Sequence, residues 1–171
     1  MIVSDANELE LIMQRMATDM QTLLDERRID QPRMIGIHTG GVWIAKRLHA
    51  LLNLALPLGT LDISFYRDDF TRIGMHPQVK PSQLPFDVEN QAVILVDDVL
   101  QTGRTIRAAL NEIFDYGRPS CVLLTALAER SGRELPIQAD VVGKHFPLQE
   151  NEYIKLAQDP EHGLVLQLSS Q

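Results

Sequence analysis

The sequence predicts an α/β fold: a central, mostly parallel sheet flanked by helices. Three observations carry this. Apolar runs of strand length alternate along the chain with amphipathic runs of helical period. The runs "RMIGI" (Arg33–Ile37) and "AVILV" (Ala92–Val96) are close to continuously apolar, as strands covered on both faces require. Each of these runs ends in a polar turn with a helical pattern behind it. The 171 residues, 44% of them apolar, suffice for one domain with a proper core. No repeat, low-complexity tract or Gly/Ser linker divides them, so the reading is a single domain over residues 1–171.

The elements follow in order. Ser4 or Asp5 caps a first helix, whose Leu9, Ile12, Met13, Met16, Met20, Leu23 and Leu24 repeat at helical spacing to about Arg28. Strand Arg33–Ile37 leads through the turn "HTGG" into the helix "VWIAKRLHALL". In the strand Gly59–Arg67, Leu61, Ile63 and Phe65 alternate with Asp62, Ser64 and Tyr66. From Asp68 to Asn90 no period holds, and Pro77, Pro81 and Pro85 interrupt the stretch. A loop of that length is a lid, a binding loop or a disordered excursion. Strand Ala92–Val96 precedes a turn and a helix from about Arg104 to Tyr116, which Gly117 and Pro119 close. Further strands are predicted at Ser120–Ala128, Asp140–Val142, Glu152–Leu156 and Leu164–Leu168.

Composition excludes several classes. A formal net charge of −7 argues against a broad cationic surface for non-specific nucleic-acid binding. No stretch approaches the roughly 18 consecutive apolar residues of a membrane span. The start, "MIVSDANELELIMQRM", is acidic and amphipathic and lacks the pattern of a secretory signal. The lone Cys121, in "SCVLLTALA", has no internal disulfide partner and reads as a buried strand residue. These features together indicate a cytoplasmic protein.

The most informative stretch is "VILVDDVLQTGRTIRAALNEIF" (Val93–Phe114). Asp97 and Asp98 stand at the C-terminal end of a buried strand, where ligands bind in parallel sheets. Two carboxylates are tolerable there if sugar hydroxyls or a divalent cation satisfy them. The turn "QTGRT" behind them opens a helix whose first N–H groups have no intrahelical acceptor. Gly103 permits close backbone approach, and Thr102 and Thr105 add hydroxyls. Carboxylates for a ribose and a helix start for a phosphate, a few residues apart, describe a ribose-5-phosphate site. The spacing matches neither the Walker A loop nor the dinucleotide fingerprint.

"VILVDDVLQTGRT" resembles the phosphoribosyl-pyrophosphate signature of the type I phosphoribosyltransferases. "TLDISFYRDDF", "DYGRPS" and "RELPIQADVVGK" are similar to the narrower family of bifunctional pyrimidine operon regulators and uracil phosphoribosyltransferases. The resemblance implies a flexible loop over the site and a small C-terminal hood over the base. It implies that Asp97 and Asp98 bind the ribose hydroxyls and, directly or through water, Mg²⁺. Val99, Leu100, Gln101, Thr102, Gly103, Arg104 and Thr105 then line the sugar and 5′-phosphate. Gln101 stands where purine-salvage members commonly carry an aspartate, which points away from 6-oxopurines.

The same resemblance places the pyrophosphate at "GIHTGGVWIA", on the backbone of Thr39 and Gly40, with a strained peptide near Thr39–Gly40. Many relatives carry arginine where Gly40 stands, so the missing charge falls to Arg67 or Arg130. Arg130 is implied to face the base, and backbone groups around Val142 and Lys144 are implied to read its edges. Arg67, at the edge of the loop from about Asp68 to Lys80, is implied to act near the pyrophosphate or the loop hinge. His38, His49, His145 and His162 lack zinc-ligand spacing and read as structural or exposed.

The implied reaction joins uracil to phosphoribosyl pyrophosphate, giving uridine monophosphate (UMP) and pyrophosphate, in a homodimer or higher homo-oligomer. Two alternatives stay open. One is a nucleotide-sensing regulator that binds a messenger-RNA leader through Arg15, Arg27, Arg28, Arg33, Lys46 and Arg47, with little catalysis. The other is a phosphoribosyltransferase for another base, purines included.

Overall fold

The computed structural model describes residues 1–63 and 82–170. Arg67 and the predicted lid from Asp68 to Lys80 lie outside the described residues. So does the second half of the strand predicted over Gly59–Arg67.

Five parallel strands form the central sheet: β2 (Arg33–Ile37), β3 (Gly59–Leu61), β4 (Ala92–Leu100), β5 (Cys121–Arg130) and β6 (Val141–Phe146), in spatial order β3-β2-β4-β5-β6. The middle position goes to β4, the most apolar run, with Val93 through Val96 fully buried. Its alternate side chains serve two cores. Ile94 and Val96, with Leu123 and Leu127 of β5, meet helices α1 (Ala6–Glu26) and α2 (Gly40–Leu51). Val93 and Leu95, with Leu124 and Ala126, meet Ile106, Ala109 and Ile113 of helix α3 (Arg104–Tyr116). Burying such side chains contributes about 1.5–3 kcal/mol each.

Helix α1 is capped by Asp5, whose carboxylate accepts the Glu8 N–H at 2.8 Å. Its buried stripe is Leu9, Ile12, Met13, Met16, Ala17, Met20 and Leu24, the face its period indicates. Beyond Leu61, Ile63 is buried as its alternation suggests, but so is Asp62. The described end of the long loop is tied down at Gln83, which exchanges two 2.8 Å backbone bonds with Thr60. Val88 is buried against the α3 face.

A second, antiparallel sheet caps one end of the molecule, in order β1-β8-β7, from β1 (Ile2–Ser4), β7 (Glu152–Asp159) and β8 (Gly163–Ser170). It brings both chain ends together: the Met1 ammonium donates to Leu168 O at 2.9 Å. Strand β1 has three residues, too short to show a period, and is absent from the sequence reading. Strands β5, β6, β7 and β8 run past their predicted ends. For β5 the reason is visible: Glu129 and Arg130, polar residues that read as loop, pair with His145 and Phe146 of β6. Cys121 opens β5 and is half-buried rather than buried.

Candidate active site

The C-terminal ends of β2, β4 and β5 open on one side of the sheet, and Thr39, Gly40, Asp97, Asp98 and Arg130 stand at or just beyond them. Asp97 is buried and its carboxylate accepts the Asp98 N–H at 2.9 Å. Asp98 is half-buried. Gly103 precedes α3 with φ 91°, a left-handed conformation natural to glycine. The Thr102 hydroxyl accepts the Arg104 N–H at 3.1 Å, while the Thr102 carbonyl takes N–H groups from Glu134 and Leu135. These bonds clamp the turn against the segment 131–137. A Cβ at Gly103 would stand 3.3 Å from the Cβ atoms of Leu135 and Ile137. Arg104 turns outward to Glu134 at 2.8 Å. The first-turn amides of Thr105 and Ile106 therefore head a helix whose positive end is framed by Gly103 and Thr102.

The "HTGG" turn sits directly beside this strand end. His38 N–H donates to Leu61 O at 2.8 Å, and Thr39 precedes α2 without a side-chain capping bond. The peptide between His38 and Thr39 is cis, next to the Thr39–Gly40 bond, and Gly40 already belongs to the first turn of α2. Both glycines are buried against β4. A Cβ on Gly41 would lie 2.6 Å from Val96 O, and one on Gly40 would overlap the Asp98 side chain.

Arg130 ends β5 and is 6% exposed. Its guanidinium lies over the Tyr153 ring, 5.3 Å from the centroid, and Nη2 donates weakly to Gln149 O at 3.4 Å. Its Nε is buried without a hydrogen-bond partner, a costly arrangement unless a ligand supplies the acceptor. A cleft of about 480 Å³ adjoins it, lined by Leu100, Gln101, Arg130, Arg133, His145 and Phe146 among others. His145 Nδ1 stands 2.8 Å from Glu129 at the cleft wall.

Two residues expected near the base have their side chains elsewhere. Val142 pairs with Ala126, which is level with Asp97, so it lies two strands away from the carboxylates and does not line the cleft. Lys144 is turned toward α1: its ammonium bonds Glu8 at 2.7 Å and Ser4 at 3.2 Å. That hydrogen bond holds the Glu8 carboxyl below its ordinary range. The reason is strand length. Because β6 continues to Phe146, the residues at its mouth are His145 and Phe146, not Val142 and Lys144. Sequence reasoning missed Tyr153, Gln149 and Glu129. Only the alternation in "NEYIKLA" hints that Tyr153 faces away from the Ile154–Leu156 core side.

Among the described residues no three His, Cys, Asp or Glu side chains are grouped to hold a metal. The Asp97–Asp98 pair is nevertheless the donor set that suits Mg²⁺, which keeps most of its waters and takes one or two carboxylates alongside substrate phosphates.

The basic residues proposed for RNA are largely engaged. Arg15 donates to Gly143 O, Arg33 to Gln31 O at 2.6 Å, Arg27 faces Asp140 at 3.8 Å, and Arg47 forms a two-pronged pair with Glu10. Arg28 and Lys46 are exposed. Of the other histidines, His49 bonds Leu56 O at 2.6 Å and His162 bonds Asp159 at 2.8 Å.

The phosphoribosyl transferase domain model matches residues 6–153. A "Bifunctional protein PyrR" of Nitrosococcus oceani is 63% identical over 150 residues, covering 86% of this chain and 85% of that one. The protein of the same name from Pseudomonas syringae pv. tomato is 56% identical over 161 residues, 94% of both chains. Among solved structures, a Trypanosoma cruzi hypoxanthine phosphoribosyl transferase superposes with TM-score 0.69 at 19% identity, covering 86% of this chain and 78% of that one. A hypoxanthine-guanine-xanthine phosphoribosyltransferase gives 0.67 at 18%, covering 97% and 92%. These two share the fold. No helix among the described residues is long and apolar enough to cross a membrane.

Proposed function

The chain belongs to the phosphoribosyl transferase family, among the bifunctional PyrR proteins, and from that premise we propose that it converts uracil and phosphoribosyl pyrophosphate to UMP and pyrophosphate. The observation that carries the choice of base is Arg130. Its buried, unpartnered Nε borders a cleft whose other wall is Gln101, an amide rather than a carboxylate. Uracil offers carbonyl acceptors to such an arginine, and an amide can donate to a carbonyl or accept from a ring N–H.

In the proposed reaction N1 of uracil attacks C1 of the ribose as the C1–O bond to pyrophosphate breaks. The pyrophosphate leaves with the bonding electrons, and the N1 proton is released. Asp97 and Asp98 accept hydrogen bonds from the 2′- and 3′-hydroxyls and face the positive charge that develops on the sugar ring. The turn from Leu100 to Thr105 holds the 5′-phosphate, and the backbone around Thr39 and Gly40 holds the pyrophosphate. Alignment of the two reactants by these groups supplies most of the acceleration. Asp97 and Asp98 would hold Mg²⁺, which neutralises charge on the departing pyrophosphate when bound.

Incubation with Mg²⁺, phosphoribosyl pyrophosphate and each free base in turn tests the proposal. UMP should form fastest; faster turnover of hypoxanthine or guanine would overturn the uracil assignment. The cytoplasm supplies these substrates, and we place the protein there, as a homo-oligomer. The relatives are named bifunctional, and the second function we propose is regulation of pyrimidine genes through a messenger-RNA leader. Its RNA contacts would rest on Arg28 and Lys46 more than on the paired arginines.

A further inference from the structure

We infer that the segment from Glu134 to Ile137 positions the phosphate turn: its backbone holds the Thr102 carbonyl and thereby aims the Gly103 N–H at the 5′-phosphate. The inference rests on the phosphoribosyltransferase reading and deepens it, since it concerns the same site. The segment belongs to "RELPIQADVVGK", a stretch that supplies no group to the proposed reaction. The N–H groups of Glu134 and Leu135 both donate to Thr102 O, at 3.1 and 3.0 Å. Both lone pairs of that carbonyl are thus used. The Thr102 carbonyl and the Gly103 N–H belong to one planar trans peptide, so they point in opposite directions. With the carbonyl held toward Glu134 and Leu135, the N–H faces away from them. Gly103 is buried, and no acceptor among the described residues takes its N–H. Such a donor is costly unless a ligand accepts from it. It stands immediately before the first turn of α3, beside the amides of Thr105 and Ile106.

The local sequence leaves the direction of this peptide open. Glycine populates φ of either sign, so a flip that carried Gly103 away from 91° would cost its backbone little. The local bond, from the Arg104 N–H to the Thr102 hydroxyl, involves neither the carbonyl nor the N–H of that peptide. The ion pair between Arg104 and Glu134 spans the same junction, but both side chains are about half exposed, so the backbone bonds carry the effect. The segment is itself stiff. Pro136 fixes one φ, and the Ile137 N–H closes a three-residue turn on Leu135 O at 2.8 Å. That turn sets Leu135 and Ile137 against Gly103, while Ile137 packs on the core beneath α3. Arg133 and Ile137 also line the base cleft. One segment therefore holds the phosphate turn and the base wall in a common frame, which fixes how ribose C1 meets N1 of the base.

The test compares UMP with uridine as competitors of phosphoribosyl pyrophosphate, so that the ratio of their affinities isolates the phosphate. Thermal unfolding sets the folded fraction of each variant. Glu134→Pro removes one donor to Thr102 O. It should lower the ratio of UMP to uridine affinity about tenfold, the equivalent of one hydrogen bond to a charged group. Proline there also constrains Arg133, and uridine, which samples the base cleft without the phosphate, controls for that; its own affinity should stay within about threefold. Glu134→Gln keeps the N–H and loses the ion pair, and should hold the native ratio within about twofold. If Glu134→Pro does not fold, Pro136→Gly decides: it relaxes the turn with every N–H in place and should lower the ratio about threefold. A native ratio in the deciding variant, an equal fall in Glu134→Gln, or failure of both Glu134→Pro and Pro136→Gly to fold would overturn the positioning role. Those outcomes leave the enzyme assignment standing. A native protein that binds UMP no more tightly than uridine and forms no nucleotide would remove the assignment itself, and the inference with it.

Discussion

Arg130 concentrates the chemistry of the proposed base cleft in one side chain. A guanidinium that is 6% exposed with Nε unpartnered is a poor contributor to the empty fold and a good donor to a ligand. Arg130→Met keeps the bulk and removes the donors. The expected result is a KM for uracil raised about 10- to 100-fold, the equivalent of one charge-assisted hydrogen bond of roughly 1.5–3 kcal/mol, with little change in thermal stability. An unchanged KM together with a large fall in stability would show that Arg130 serves the hood, through Tyr153 and Gln149, and not the base. The pairing of Arg130 with Tyr153 is also where sequence reading ran short. The arginine announces itself at the end of an apolar run, but its aromatic partner is 23 positions away on another sheet, and nothing local marks it.

Among the helices and turns, two arrangements make separate predictions. The turn before α3 depends on Gly103, held at φ 91° with Leu135 and Ile137 against it. Gly103→Ala should destabilise the protein by about 1–2 kcal/mol from the left-handed backbone alone. It should also weaken 5′-phosphate binding, since the cradle must open; UMP affinity measured by calorimetry reads this, and unaltered affinity would remove the turn from the phosphate site. Helices α1 and α2 are joined by Glu10 and Arg47. The Arg47 hydrogen bond, with help from Gln14, lowers the Glu10 carboxyl from 4.5 to about 2. A lowered folded-state pKa stabilises the fold above the unfolded value, and the gain disappears as pH falls through the folded value. Glu10→Gln should therefore cost stability near neutral pH, by less than about 1 kcal/mol because the pair is partly exposed. The difference from the native protein should shrink as pH drops from about 4.5 toward 2. A difference that is constant over that range would assign the effect to packing. The elements themselves were mostly legible in the chain: α1, α2, α3 and the strands of the central sheet follow from period and capping, while the three residues of β1 could not.

The whole molecule is acidic, at −7, and commits several of its arginines to internal partners. The proposed RNA binding must then be local and steeply dependent on salt. Changing Arg28 and Lys46 to glutamine should reduce the slope of log affinity against log salt by about 0.7 for each phosphate left without its cation on a single-stranded leader. Parallel titrations of a pyrimidine-gene leader and a scrambled control at several salt concentrations measure it. A slope untouched by the double change would move the RNA surface elsewhere.

What the chain alone dictates is what is written contiguously: the buried β4, the carboxylates at its end, the glycine turn and the helix behind it, all within Val93–Tyr116. Periodicity, capping and turn chemistry act over a few residues, so such a segment carries its own geometry. Packing in three dimensions chose which distant segments meet. It set the register that takes Val142 from the mouth of the sheet, and the ion pair that draws Lys144 to Glu8 across 136 positions. It also laid Gly40 under Asp98. Those meetings depend on how helices and strands fill one core, and filling is a property of volumes that no local pattern records.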